Sequence, residues 1–179
     1  GVTTLVYDTE DGRKVTVALE PVVEEGLRVR VRAGELGTNE RVGVIFTVDA
    51  KEGFYGLMER VVQGAQDHSW EPGMTEGLDL RGQEVELYIR YTVSLYAPFF
   101  VSSAGWGLYA ENDRYSTYRF GVDEFRQDAP TELSIEYDGE LVFRVFPGAT
   151  PLEVTERFAR TVGTTIMPPR WGFGPWRWR

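Results

Sequence analysis

Leu27-Arg-Val-Arg-Val-Arg32 alternates strictly between an apolar and a cationic side chain. A period of two puts every apolar group on one face of an extended chain and every arginine on the other. The stretch can therefore satisfy itself only as a strand in a sheet with one dry and one wet face, the antiparallel kind. Residues 15–19, 42–48, 85–95, 107–110, 118–122, 133–137 and 141–146 repeat the pattern less cleanly. Asp11-Gly12 and Asp138-Gly139 stand between such runs, and Asp-Gly supplies the positive φ of a tight hairpin turn. Strands about 8–12 residues apart with turn signals between them predict an all-β antiparallel sandwich or barrel. At 179 residues the chain is long enough for one sizeable core and short of two comfortable domains.

One segment departs from this period. Thr150-Pro-Leu-Glu153 reads as a capping box, with Thr150 as N-cap, Pro151 in the first turn and Glu153 reaching back. Leu152, Thr155, Phe158, Ala159 and Val162 follow at helical spacing, and Gly163 is expected to close the helix in a left-handed conformation. Pro168-Pro169 then forms a spacer before the strand-like Trp171-Gly-Phe-Gly-Pro-Trp176. The expected division is a sandwich over 1–149, a connecting helix over 150–163 and a linker leading into a strand over 164–179. Three of the five tryptophans, Trp171, Trp176 and Trp178, fall in that last stretch. Chain ends are usually exposed and poorly ordered, so a tail this apolar is expected to belong to a further domain.

Composition narrows the chemistry. No Cys is present, which excludes disulfides, thiolate metal sites and Cys nucleophiles and favours a cytoplasmic origin. The net charge of -9 disfavours nucleic acid and anionic membranes as partners, since both call for basic surfaces. No apolar run approaches the ~18 residues of a membrane span. A single His68 cannot build a multi-His metal site or a triad. No Gly-rich phosphate loop, Gly-x-Ser-x-Gly elbow or EF-hand spacing occurs, so no cofactor and no metal are expected.

Residues 63–84 carry glycines, a proline and no periodicity, which predicts a long loop, and structureless loops beyond ~12–15 residues are usually functional or disordered. His68, Trp70 and a cluster of carboxylates lie there. Glu59, Asp67, Glu71, Glu76, Asp79 and Glu84 could supply a carboxylate pair for glycoside hydrolysis, or simply form a solvated acidic surface in an acidic protein. Sugars are also held by aromatic platforms in apolar concavities, for which Trp70, Tyr88, Tyr91, Tyr96, Trp106, Tyr109, Tyr115 and Tyr118 are available. Most of these equally suit a sandwich core or a domain interface.

Four segments bring a known family into view. Glu52-Gly-Phe-Tyr-Gly-Leu-Met-Glu-Arg60 resembles the Tyr-Gly-Leu-Gly-Glu turn of glycoside hydrolase family 31, with Met58 where that turn usually has Gly. The stretch Ala97-Pro-Phe-Phe-Val-Ser-Ser-Ala-Gly-Trp-Gly-Leu-Tyr-Ala-Glu-Asn112 is similar to the family's Pro-Phe-(Tyr/Phe)-x-Ser-Ser-x-Gly-(Tyr/Trp)-Gly-x-x-x-(Asp/Glu)-Asn. Phe146-Pro-Gly-Ala-Thr-Pro-Leu-Glu-Val154 resembles its Gly-x-Thr-Pro-x-x-Val helix start. Residues 163–179 resemble the segment that leads into the first strand of its catalytic barrel.

The resemblance implies a galactose mutarotase-like β-sandwich from the N-terminal part of a retaining α-glycosidase or transglycosidase acting on α-glucosides or α-xylosides. The catalytic aspartates of such an enzyme belong to a (β/α)₈ barrel of ~200–250 residues or more. No Trp-x-Asp-Met-Asn nucleophile segment occurs here, so no catalytic residue is expected in this chain and its partners would be that barrel and an α-linked oligosaccharide. In the family a sandwich loop reaches over the barrel mouth, which by position makes Trp70, Glu71 and Asp79 the substrate-binding candidates. The alternatives are a loop that only packs on the barrel or on another subunit, and a stand-alone carbohydrate-binding or assembly module. A mutarotase-like epimerase, which needs a general acid and base in the sandwich, fits poorly with one His. Pro98, Phe99, Phe100, Ser102 and Ser103 are expected to be fold determinants.

Overall fold

A computed structural model of the chain describes residues 1–37, 40–57, 79–87, 97–111, 113–122, 129–163, 167 and 169. Among them are eleven strands and one helix. In chain order the strands are β1 Thr3–Asp8, β2 Lys14–Val22, β3 Gly26–Ala33, β4 Val42–Thr47, β5 Phe54–Gly56, β6 Gln83–Leu87, β7 Phe99–Ser102, β8 Trp106–Ala110, β9 Ser116–Phe120, β10 Glu132–Tyr137 and β11 Leu141–Pro147. The helix α1 covers Pro151–Val162. Every pairing is antiparallel. One sheet has the order β1-β2-β3-β11-β8-β7-β5 and the other β4-β10-β9-β6. Of the sandwich and the barrel that the alternation allowed, this is the sandwich that the resemblance implied.

The register shows how the period of two builds the core. Val29 and Val31 of β3 stand opposite Phe143 and Leu141 of β11, and Leu108 and Ala110 of β8 flank the other side. All six are buried. From the second sheet Leu133, Ile135 and Tyr137 of β10 meet them, beside Tyr118 and Phe120 of β9, and all join a single hydrophobic cluster. Burying a side chain of this size is worth about 1.5–3 kcal/mol. The arginines of β3 take the opposite face. Arg28 pairs with Glu111, while Arg30 and Arg32 share Glu140.

Helix α1 closes over the outer face of the larger sheet at β7, β8 and β11. Phe158 stacks on Phe99 with ring centroids 4.0 Å apart and 7° between planes, and it also meets Tyr109 and Phe146. Phe100, the next residue along β7, points into the core and meets Phe54, Trp106 and Phe120. The two adjacent phenylalanines thus serve opposite faces of one strand, as their sequence position requires. Thr150 Oγ1 accepts from the Glu153 amide at 3.2 Å, as the capping box predicts. The Glu153 carboxylate answers one residue early, accepting from the Ala149 amide rather than from Thr150.

Two expectations need correction. Asp138-Gly139 is not a hairpin within one sheet, because β10 pairs with β4 and β9 whereas β11 pairs with β3 and β8. The turn carries the chain across the sandwich. Gly163 has φ 116° and ψ 175°, so the helix ends in an extended glycine conformation, not a left-handed one. β6 ends at Leu87, and the remainder of the strand expected over 85–95 lies outside the described residues. No helix among the described residues is long and apolar enough to cross a membrane.

Candidate functional site

The two segments most diagnostic in the sequence, 52–57 and 97–111, are joined at one buried carboxylate. Glu52 is buried, and its Oε1 accepts from the Trp106 indole N–H at 2.6 Å and from the Ser102 hydroxyl, while its Oε2 accepts from the Asp49 amide at 3.2 Å. The neighbouring residues reinforce the joint. The Gly53 amide donates to Ser103 Oγ at 2.9 Å and the Ser103 amide returns a bond to the Gly53 carbonyl at 2.8 Å. Ser102 and Ser103 thus do what was expected of them, satisfying polar groups where the chain turns. A buried carboxylate is tolerated when donors surround it.

Gly56 explains the Tyr-Gly-Leu turn. Its φ is 134°, and a Cβ there would stand 2.5 Å from the Phe99 carbonyl oxygen and 2.9 Å from the Phe100 Cα. Only glycine fits a backbone that crosses its neighbour so closely. Gly107 plays the same part under the helix, where a Cβ would meet Val154 Cγ1 at 2.5 Å and the Phe100 carbonyl oxygen at 2.8 Å.

Arg81 fastens this joint to the rest of the sandwich. Its Nε donates to the Glu52 carbonyl at 2.6 Å, its Nη2 to the Asp49 carbonyl at 2.7 Å and its Nη1 to the Pro130 carbonyl at 2.9 Å. The guanidinium also lies over the Phe54 ring, 5.5 Å from its centroid. Asp79 stands beside it. Its Oδ1 accepts from the amides of Phe54 at 2.9 Å and Arg81 at 3.0 Å.

Glu111, at the acidic position of the second segment, sits between two guanidiniums. Arg28 donates to it in a fork, through Nε at 3.0 Å and Nη2 at 2.6 Å to Oε2, and Arg144 bonds the other oxygen. Burial opposes its ionisation, but the hydrogen bonds from Arg28 and Arg144 outweigh burial and hold the carboxyl below the usual carboxylate range. On the other sheet Arg119, almost fully buried, pairs with Glu84 and Glu136.

Of the substrate-binding candidates, Asp79 is described, while Trp70 and Glu71 lie outside the described residues, as do His68, Glu59, Asp67 and Glu76. Glu84 belongs to β6 and to the Arg119 pair. Among the aromatic candidates, Trp106 and Tyr118 pack into the core and Tyr109 packs on Phe158. Tyr115 lies under Arg41, 4.7 Å from the guanidinium carbon, and donates to Glu86. Tyr88, Tyr91 and Tyr96 lie outside the described residues. Sequence reasoning gave Glu52 no role. Its only signal was an acidic residue directly before a Gly-Phe-Tyr-Gly turn, where a surface carboxylate would look the same. A cleft of about 300 Å³ also opens at the far edge of the larger sheet, with Val15, Val31 and Val42 in its wall and Arg13 and Glu40 paired at 2.6 Å on its rim.

No family model matches the sequence. The chain is 30% identical over 79 residues to an α-xylosidase of Lactiplantibacillus pentosus, covering 44% of this chain and 10% of that protein. It is 26% identical over 192 aligned positions to an α-glucosidase of Bacillus thermoamyloliquefaciens, covering 94% of this chain and 23% of the relative. The fold matches the family 31 glycoside hydrolase dextranase of Flavobacterium johnsoniae, solved with glucose, with a TM-score of 0.58 at 18% identity. That match covers 96% of this chain and 22% of the dextranase. The chain therefore spans less than a quarter of the length of each of these proteins. In fold the chain is similar to a family 31 glycoside hydrolase, and in sequence to an α-xylosidase and an α-glucosidase.

Proposed function

We propose that this chain is the non-catalytic N-terminal sandwich of a retaining α-glycosidase acting on α-glucosides or α-xylosides by hydrolysis or transfer. It supplies a scaffold and a sugar-facing segment to a catalytic barrel of the same polypeptide. In this reading 1–149 is the sandwich, 150–163 the connecting helix, and 164–179 the linker and first barrel strand. The α-xylosidase and α-glucosidase relatives support the substrate class.

The observation that carries the proposal is the Glu52 joint. The residues that define the resemblance hold each other: Glu52 bonds Ser102 and Trp106, and Gly53 bonds Ser103. They build a platform, leaving substrate contact to the segment that departs after Leu57 and returns at Asp79. Trp70 and Glu71 are its sugar-facing candidates, together with the second oxygen of Asp79, whose Oδ1 already holds two backbone amides. A Trp offers a flat apolar face to a pyranose, and a carboxylate accepts strong hydrogen bonds from sugar hydroxyls.

Steady-state kinetics on aryl α-glucosides and α-xylosides tests this. The isolated 179-residue chain is expected to release no aryl alcohol. In the polypeptide that carries the barrel, Trp70→Ala and Glu71→Ala are each expected to lower kcat/KM by about tenfold, chiefly through KM. Turnover by the isolated chain, or kinetics untouched by both substitutions, would contradict the proposal.

A further inference from the structure

Strand β5 is the edge of the larger sheet beyond β7, and the polar groups of Phe54 on that edge are taken by residues 79 and 80. The Phe54 amide donates to Asp79 Oδ1 at 2.9 Å, and the Leu80 amide donates to the Phe54 carbonyl at 2.8 Å. Asp79 and Leu80 therefore occupy the place of a missing neighbouring strand. Phe54 is fully buried, so neither group has water as an alternative partner. The same Asp79 oxygen also accepts from the Arg81 amide, and the Asp79 carbonyl accepts from Gln83 Nε2 at 2.7 Å.

The chain leaves from the same strand. Leu57, the residue that follows β5, donates its amide to the Phe99 carbonyl at 2.9 Å. It is buried and holds φ 54°, a left-handed conformation unfavourable for Leu unless its surroundings impose it. Departure and return are thus both fixed within the three residues of β5 and the one that follows it.

We propose that Asp79 is a positioning residue: a single carboxylate oxygen, shared by two backbone amides, ties residues 79–81 to the open edge of β5 and so fixes the point at which the chain re-enters the sandwich after segment 58–78. This rests on reading the segment as sugar-facing. The role needs an oxygen acceptor at the reach of an Asp side chain. Asn keeps that geometry, Ala removes the oxygen, and Glu carries it one methylene too far.

Native-state hydrogen exchange on the full chain tests it. The informative amides are Leu57 and Leu80, which bond Phe99 and Phe54 and not Asp79 itself. Asp79→Ala is expected to speed exchange at both by about tenfold, leave the core amides of Leu108 and Phe143 unchanged, and have its effect largely reversed in Asp79→Asn. Unchanged exchange at Leu57 and Leu80, or an Asn variant as fast as the Ala one, overturns the proposal. If Asp79→Ala also exposes the core amides, Asp79→Glu carries the test with the same expected pattern and the same contrary result. The subsite reading fails separately: Trp70→Ala and Glu71→Ala would leave KM untouched in the barrel-bearing polypeptide whatever the exchange data show.

Discussion

The Trp106 indole donates to the Glu52 carboxylate at 2.6 Å, joining residues 54 apart in sequence. Each belongs to a segment that resembles family 31, and neither segment makes structural sense alone. Glu52 without Trp106 and Ser102 would be a carboxylate stranded in the core. Trp106 without Glu52 would lose the acceptor of its partly buried indole N–H.

The two oxygens of Glu52 both face donors, so the position discriminates finely. Glu52→Gln keeps the shape but turns an amide N–H₂ toward one of those donors. The expected loss is about 1–3 kcal/mol of unfolding free energy, with Glu52→Ala costing more through the cavity it leaves. Chemical denaturation of the three proteins checks this, and a Gln variant as stable as the parent would show that the joint does not stabilise the fold.

Gly56→Ala strikes the same region through the backbone. Its methyl would lie 2.5 Å from the Phe99 carbonyl oxygen, and φ 134° is closed to Ala. A loss of about 2–4 kcal/mol is expected, against roughly 1 kcal/mol for an average substitution. Gly12→Ala is the control. It also has positive φ, but open space surrounds it, so conformational strain alone remains and the expected loss is about 1 kcal/mol.

Helix α1 is held by Phe158 on Phe99 and by Val154 over Gly107. Phe158→Ala is expected to lower stability by about 1–3 kcal/mol, since the ring is only partly buried. Gly107→Ala should displace the helix, detectable as faster amide exchange in Pro151–Val162 while Leu133 and Ile135 in the other sheet stay protected. Equal loosening of both would mean that the helix is not a separate layer.

Glu111 gives the fold a defined acid response. Its folded-state carboxyl lies below the ordinary 4.5, so the stability it contributes is fully present above that value and disappears as pH falls through the lower folded value. The difference in Tm between the parent chain and Glu111→Gln is expected to be constant from neutral pH down to about pH 5.5 and to close on further acidification. A gap that widened in acid would reverse the sign of this assignment.

Much of this fold was legible because its longer strands bury one face, and burial of one face writes a period of two. β3, β10 and β11 stood out for that reason, and α1 through Thr150 and Glu153. β1 was missed because every one of its residues is exposed, which removes the constraint that would have patterned them. β5 and β7 were missed because strands of three and four residues are too short for a period to show. The site was less legible. Asp79 was singled out for sugar chemistry, but sequence could not show that its oxygen would serve two backbone amides. Glu52 was visible only as part of a motif, because its side-chain donors come from two strands some 50 residues away.

The central claim is that this sandwich exists to serve a catalytic barrel. The measurement that tests it most directly is the coding sequence immediately beyond codon 179. The account predicts an open frame continuing for at least ~200–250 codons of alternating strands and helices, with an aspartate pair at the carboxyl ends of barrel strands. A stop codon directly after Arg179 would contradict it and leave a carbohydrate-binding or assembly module as the account to pursue.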